Sequence, residues 1–162
     1  SDLRRRPSPP PIRRRSSSAA RSPRSRAPWP SAGPSAPWDS SLEAVCQFGR
    51  MKAGDWILLC GVSSGVGVAA LQMAKHTGAH VIGTSGSAQK LEALKKLGLD
   101  VGIVARGGDF ADEVRKAAGD KGVDVAVNLV GGSAFPACVQ ACADFGRVII
   151  VGYVDKIGRA HV

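Results

Sequence analysis
Seven residues, Gly61-Val62-Ser63-Ser64-Gly65-Val66-Gly67, stand between a short apolar run, Trp56–Cys60, and a segment of small helix-forming residues. Glycine in such a turn lets the backbone come close to a bulky anion. A helix that starts directly behind it aims first-turn N–H groups and the positive end of its dipole at the same point. Between a strand and a helix, that combination holds a pyrophosphate, so the segment reads as a dinucleotide-binding turn. With the last glycine of a G-x-G-x-x-G pattern laid on Gly67, Val62 and Ser64 take the first two glycine positions. No Gly-Lys-Ser/Thr follows, which excludes a Walker loop. The alternative is a glycine-rich turn with no ligand. Ser63, Ser64, Gly65, Val66 and Gly67 are the candidate contacts. Ser63 and Ser64 do not form a nucleophile elbow, because GVSSG displaces the glycine and places no partner histidine.

About 20 residues beyond such a turn, an NAD site places Asp or Glu on the ribose hydroxyls. The corresponding stretch here, Gly83-Thr84-Ser85-Gly86-Ser87-Ala88-Gln89-Lys90, holds no acid. It offers the hydroxyls of Ser85 and Ser87 and the cation of Lys90, which suit a ribose 2′-phosphate. NADP(H) is therefore expected over NAD(H). The plainer reading makes Ser87 an N-cap and Lys90 a solvated helix residue. Two later turns, Asn128-Leu129-Val130-Gly131-Gly132 and Val151-Gly152-Tyr153, follow apolar runs. Asn128, Val130, Gly131, Val151, Gly152 and Tyr153 are expected beside the nicotinamide, since ligands sit beyond the carboxyl ends of parallel strands. Gly131 and Gly132 as plain turn formers are the alternative.

The elements that would carry these turns alternate strictly. Strands are expected at 56–60, 80–84, 101–104, 123–130 and 147–151. Helices are expected at 64–77, 88–97, 110–118 behind an Asp109 N-cap, and 133–143, the last broken a little by Pro136. A further helix is expected at 39–50, capped by Asp39 or Ser40. Alternation with apolar strands predicts an α/β fold, a doubly wound parallel sheet of Rossmann type with five strands visible and a sixth truncated.

Composition agrees. The chain has 162 residues, 44% hydrophobic and only 5% aromatic, which suits a buried sheet flanked by small-residue helices. The net charge of +9 is unevenly spread: residues 1–38 hold nine Arg against one acid, Asp2, for +8, and residues 39–162 hold 13 bases against 12 acids, for +1. High overall basicity is thus no argument that the domain binds nucleic acid. Cys46, Cys60, Cys138 and Cys142 show no C-x-x-C spacing, so neither a metal site nor a disulfide framework is expected. They read as small buried side chains in a reducing compartment, with Cys138 and Cys142 on one helix face. His76 and His80 read as surface residues. No apolar run is long enough for a membrane span.

The ends read differently. Nine of the ten prolines precede Trp38, and residues 1–38 are expected to be disordered. Three readings stand: a basic arm for RNA or acidic partners, an organelle transit peptide, or unrelated upstream sequence. Residues 157–162, IGRAHV, match one translated frame of a common sequencing-library adapter and are set aside as a non-native tail, leaving a domain at 39–156.

The stretch GDWILLCGVSSGVGVAALQMAKHTGAHVIGTSGSAQKLEALKKLG, with the later NLVGG and GRVIIVG, resembles the cofactor domain of the medium-chain dehydrogenase/reductase family, in its zinc-independent quinone oxidoreductase branch. The resemblance covers about residues 39–153. Family members usually carry Ala or Gly at the position of Val62, and LDVGIVARGGDF departs from the more usual GADxVI. The resemblance implies NADP(H), a 2′-phosphate facing Lys90, and backbone contacts from the two later turns. It also implies hydride transfer to a quinone, enone or enoyl thioester, a homo-oligomeric full-length protein and a cytoplasmic location, or an organellar one if residues 1–38 are a transit peptide. The substrate cleft would need a second domain, so no catalytic residue is named; Tyr153 is read as structural, with proton donation the alternative. Two other readings stay open: a non-catalytic Rossmann nucleotide-binding or RNA-interacting protein with a basic arm, and an enoyl-reductase segment of a multidomain synthase. Replacing Lys90 with Glu is expected to weaken NADPH more than NADH in equilibrium titrations; equal losses would remove Lys90 from 2′-phosphate recognition.

Overall fold
The computed structural model describes residues 49–152. The expected 39–50 helix, Tyr153, Cys46 and both terminal segments fall wholly or mainly outside that span. Within it the chain runs β1 (Trp56–Cys60), α1 (Gly65–Thr77), β2 (His80–Ser85), α2 (Ala88–Lys95), β3 (Val101–Val104), α3 (Ala111–Ala117), β4 (Val123–Asn128), a 3₁₀ turn (Gly132–Ala134), α4 (Phe135–Ala141) and β5 (Cys142–Ile150). All pairings are parallel, in the order β3-β2-β1-β4-β5. This is the expected Rossmann-type sheet; the sixth strand would fall beyond the described residues.

The sheet has two buried faces because alternate residues of each strand serve opposite helix layers. Ile57 and Leu59 of β1 join Ala70, Leu71 and Ala74 of α1 and Leu91 and Leu94 of α2 in one core. Leu58 and Cys60 join Val114 of α3 and Ala137, Cys138 and Ala141 of α4 in the other. The chain therefore winds outward through α1 and α2 on one face. It then crosses back through α3 to β4 and on through α4 on the other. The strand order reverses at β1, and by the general rule for open α/β sheets that reversal places a ligand crevice between the carboxyl ends of β1 and β4.

Several boundaries differ from expectation for identifiable reasons. Asp109 does not cap α3: the N-cap is Phe110, which makes no side-chain cap bond and is 1% exposed. Burial of that ring, rather than a polar cap, sets where the helix begins. Pro136 does not break α4 but lies in its first turn, where the missing N–H costs nothing. α4 ends at Ala141, and Cys142 opens β5, so Cys138 and Cys142 share no helix face. β5 starts five residues earlier than expected, at Cys142, because a register shift opposite Val123–Val125 takes up the extra residues; Phe145 sits there with φ 64° and full exposure. β4 stops at Asn128 because its own side chain turns the chain that follows.

α1 ends at Gly78, whose φ of 85° lets its N–H reach the carbonyls of Ala74 and Lys75. Lys75 then ties the helix to the sheet: its Nζ donates to Ala79 O at 3.1 Å and to Asp100 Oδ2 at 2.8 Å, while Asp100 Oδ2 accepts from Val81 N at 2.7 Å. Burial works against the Asp100 carboxylate, but the Lys75 hydrogen bond, the Val81 N–H and the charges of Lys75 and His80 outweigh it and hold its pKa below the usual value. At β2, Gly83 is required by close packing: a Cβ there would sit 2.6 Å from Val62 Cγ1 and 2.9 Å from Leu99 Cδ1.

Two outcomes are expected from these contacts. A carboxylate with a depressed native pKa stabilises fully above its unfolded pKa, and the contribution is lost as pH falls through the native value. The stability gap between wild type and Asp100→Asn, about 1 kcal/mol or less at neutral pH for so exposed a pair, should therefore close in thermal melts taken below about pH 4; a gap independent of pH would contradict the ion-pair account. Gly83→Ala should cost about 1–3 kcal/mol through overpacking. Adding Val62→Ala should recover part of that loss in a double-mutant cycle, whereas strict additivity would show that the two side chains do not meet.

Candidate dinucleotide site
The crevice is floored by the turn between β1 and α1. Gly61 adopts φ 84°, and a Cβ on it would meet Val130 Cγ2 at 3.0 Å. Gly61 N and Val62 N both donate to Thr84 O, at 3.1 and 3.0 Å, so the turn is anchored on β2. Val62 sends its side chain into the core beneath, where it is fully buried. The departure from glycine at this position therefore leaves the crest of the turn clear. Ser64 is the N-cap of α1, its Oγ accepting from Gly67 N at 3.1 Å. Gly67 is the residue that allows the helix to descend onto the turn: a Cβ there would lie 2.6 Å from Val62 O and 2.8 Å from Gly61 O. The helix thus begins at Gly65, directly behind the glycine-lined turn, and the turn and the positive end of the helix dipole suit a pyrophosphate.

The candidates on the β2 side come together. Ser63 Oγ and Ser85 Oγ are 3.0 Å apart, and Ser85 Oγ also accepts from Ser87 N at 3.3 Å. Ser87 caps α2 by accepting from Lys90 N at 3.4 Å, and Lys90 is exposed one turn on. Sequence reasoning missed a neighbouring cation. Arg106, two residues past β3, lays its side chain across Gly86: a Cβ on Gly86 would be 3.1 Å from Arg106 Cγ and 3.3 Å from its Nε. The strand exit that positions it is held by Ala105 N donating to Ser85 O at 3.0 Å. The available signal was an arginine immediately after an apolar strand, paired with a glycine in the facing turn. Arg106 thus lies against Gly86, between Ser85 and Ser87 in the chain, with Lys90 one turn into α2, and neither residues 83–90 nor residues 105–108 include a carboxylate.

On the other side of the crevice, Asn128 is fully buried. Its Oδ1 accepts from Val130 N at 3.0 Å and Gly131 N at 2.9 Å, and its Nδ2 donates to Gly131 O at 2.8 Å. Gly131, at φ 120°, closes this turn. Val151 N donates to Asn128 O at 3.0 Å, and a Cβ on Gly152 would lie 3.1 Å from Leu129 O, so the β4 and β5 exits are packed together. A second strap joins the exits of β3 and β4: a Cβ on Gly108 would fall 2.7 Å from Ser133 O.

Cys60 and Cys138 lie below the crevice, both buried, and share a hydrogen bond. Donation from Cys138 lowers the Cys60 pKa against the opposing effect of burial, with Thr84 adding to the lowering. The same contact, burial and the nearby sulfurs push Cys138 far up. Burial and Asp124 raise Cys142. Among the described residues no group of three or more His, Cys, Asp or Glu side chains could hold a metal ion, and no helix is long and apolar enough to cross a membrane. His80 stacks on Trp56 at the opposite end of the sheet, 4.8 Å between ring centroids.

Comparison with known proteins agrees with this geometry. The family described as zinc-binding dehydrogenase matches residues 65–159. A curated relative from Mycobacterium tuberculosis, a phenolphthiocerol/phthiocerol polyketide synthase, is 38% identical over 76% of this chain, which spans only 6% of that protein. Among solved structures, AibC superposes with a TM-score of 0.69 at 41% identity, over 73% of this chain and 35% of that one. The nucleotide-binding subdomain of the enoylreductase domain of PpsC from Mycobacterium tuberculosis superposes at 0.66 and 38% identity, over 72% of this chain and 65% of that one. The match in sequence over more than half the chain, the strand order and the glycine-packed turn coincide: this chain belongs to the zinc-binding dehydrogenase family of medium-chain oxidoreductases and carries its nucleotide-binding subdomain.

Proposed function
We propose that this subdomain binds NADP(H) for an oxidoreductase that passes hydride to a quinone, enone or enoyl thioester. The observation that carries the cofactor assignment is the patch at the β2 and β3 exits. Ser85, Ser87, Lys90 and Arg106 offer donors and two cations where an NAD site would hold a carboxylate. An acid there would repel a 2′-phosphate; a guanidinium beside hydroxyls favours it through charge-assisted hydrogen bonds. The glycine-packed turn at Gly61–Gly67 supports the same reading from the pyrophosphate side, since any side chain at Gly67 would collide with the Val62 and Gly61 carbonyls and part the helix start from the turn.

NADPH supplies the hydride when bound. This chain's residues would do the rest of the holding. The helix α1 start takes the pyrophosphate, the Ser85–Arg106 patch takes the 2′-phosphate, and the β4 and β5 exits seat the nicotinamide half. The substrate side of the cleft would come from another part of the protein. That a polyketide synthase and the enoylreductase subdomain of PpsC are among the similar proteins favours an enoyl thioester as acceptor within the proposed class.

Titration of the chain with NADPH and NADH, followed by reduced-nicotinamide fluorescence, tests the reading. NADPH should bind more tightly. Arg106→Gln should weaken NADPH about tenfold, the worth of one charge-assisted hydrogen bond, and leave NADH within about twofold. Equal or tighter binding of NADH by the unaltered chain would overturn it.

A further inference from the structure
Two thiols below the dinucleotide turn lie in contact, and the proposed cofactor binding uses neither. Cys60 ends β1, and Cys138 lies near the middle of α4. They are 2% and 0% exposed, in the core cluster that also holds Leu58, Ile82, Ala126 and Ala134. Cys60 Sγ takes two donors, the Cys138 thiol and the Thr84 hydroxyl. Thr84 Oγ1 in turn accepts from Gly61 N at 3.3 Å. A chain of hydrogen bonds therefore runs from the first backbone N–H of the glycine-rich turn down to the thiol pair. The Cys138 donor, with Thr84, outweighs burial and lowers the Cys60 thiol, which favours the thiolate, the form that reacts. The third described thiol is differently placed. Cys142 opens β5 and is half-buried, and burial and the Asp124 charge raise it, so it is the poorer nucleophile.

We propose that Cys60 and Cys138 form a redox-sensitive pair, which hydrogen peroxide converts to a disulfide that loosens the turn between β1 and α1. The Cys60 thiolate attacks one peroxide oxygen, the O–O bond breaks, hydroxide leaves and Cys60 becomes a sulfenic acid. Cys138 then attacks that sulfur, the S–O bond breaks and the oxygen leaves as water. Overall, two thiols and one peroxide give one disulfide and two waters, with two electrons passed from sulfur to oxygen. Burial selects a small oxidant, because a bulky disulfide such as oxidised glutathione cannot reach either sulfur. The new bond draws the sulfurs from hydrogen-bond contact to about 2.05 Å, which pulls α4 and the end of β1 together. It also takes from the Thr84 hydroxyl the sulfur anion it donates to, and that hydroxyl is an anchor of Gly61 N. Cys60 directly precedes Gly61, so the displacement is delivered to the turn itself. The loosening is read through cofactor affinity and rests on the NADP(H) reading above; the disulfide does not.

The test exposes the full reduced chain, freed of reductant, to hydrogen peroxide. Intact mass, disulfide-linked peptides and, after removal of peroxide, affinity for NADPH are then read. Oxidation should lower the mass by about 2 Da, the two thiol hydrogens, and link the Cys60 and Cys138 peptides. NADPH affinity should fall about tenfold, and dithiothreitol should restore both mass and affinity. Oxygen gained on a cysteine without a link, a link that includes Cys46 or Cys142, or unchanged cysteines would overturn the proposal. So would linked protein that binds NADPH as tightly as the reduced chain. A reduced chain that does not bind NADPH at all overturns the NADP(H) reading, which is a different failure, and the mass and the linked peptides still decide the disulfide. Cys138→Ala should stop at a sulfenic acid on Cys60 that dimedone captures; a persistent loss of about 2 Da in that variant would place the bond elsewhere and overturn the pair. Should the variant not fold, the measurements on the unaltered chain decide.

Discussion
The distance between α1 and the turn beneath it governs the rest of this structure. The helix lies so close that a single methyl group at Gly67 would collide with the carbonyls of Val62 and Gly61. That closeness brings the helix start to the rim of the crevice rather than above it. It also forces the compensations below. Val62 must go into the core, Gly83 must leave room for it, and Leu99 closes the same space from beyond α2. A larger residue at either glycine would lift the helix away and remove the cradle, whatever the chemistry of the surrounding side chains.

The sheet's two-sided burial is the second constraint, and it is what distributes the site. Because β1 alternates Ile57 and Leu59 against Leu58 and Cys60, it can sit at the centre with a helix layer on each face. The crossing back from β3 to β4 then opens the crest between β1 and β4. The candidates among the described residues lie at or just past the strand exits along that crest. The polar groups there are held by short local bonds: Ser64 on its helix, Ser87 on Lys90 N, Asn128 on its own turn. The Ser63–Ser85 contact then links the β1 and β2 exits, and the Gly108–Ser133 approach links the segments that follow β3 and β4. The parts of this rim are thus fixed relative to one another, which would lower the entropy cost of ordering them on the proposed binding of cofactor.

The strands and helices were legible because their signals are local. Apolar runs bounded by glycine marked β1 to β4 closely, and Ser87 was recognisable as a cap from its place before a helical segment, whereas Ser64, expected inside its helix, proved to be the cap. The errors share a cause. Asp109 was the better cap by type, but burial of Phe110 decided where α3 starts. Pro136 looked like a helix breaker, yet its position in the first turn made it harmless. Cys142 fitted helical spacing with Cys138, but the register of β5 against β4 claimed it for a strand. For Asp109 and Cys142 a contact between elements outweighed a preference within one, and for Pro136 the helix start itself decided.

The residue sequence by itself determined the alternation of strands and helices, the parallel sheet that follows from it, the glycine-rich turn at the first crossover and the absence of an acid after β2. These depend on neighbours within a few positions, where period and turn chemistry act. Only the tertiary structure decided that Arg106 lies across Gly86, that Val62 and Gly83 fill one space, and that Asn128 spends its amide on its own turn. Arg106 and Gly86 are far apart in the chain and meet because parallel pairing of β2 with β3 aligns their exits. Side-chain direction at Val62 and Asn128 is set by packing and by buried hydrogen-bond demand, and neither is encoded in residue type or spacing alone.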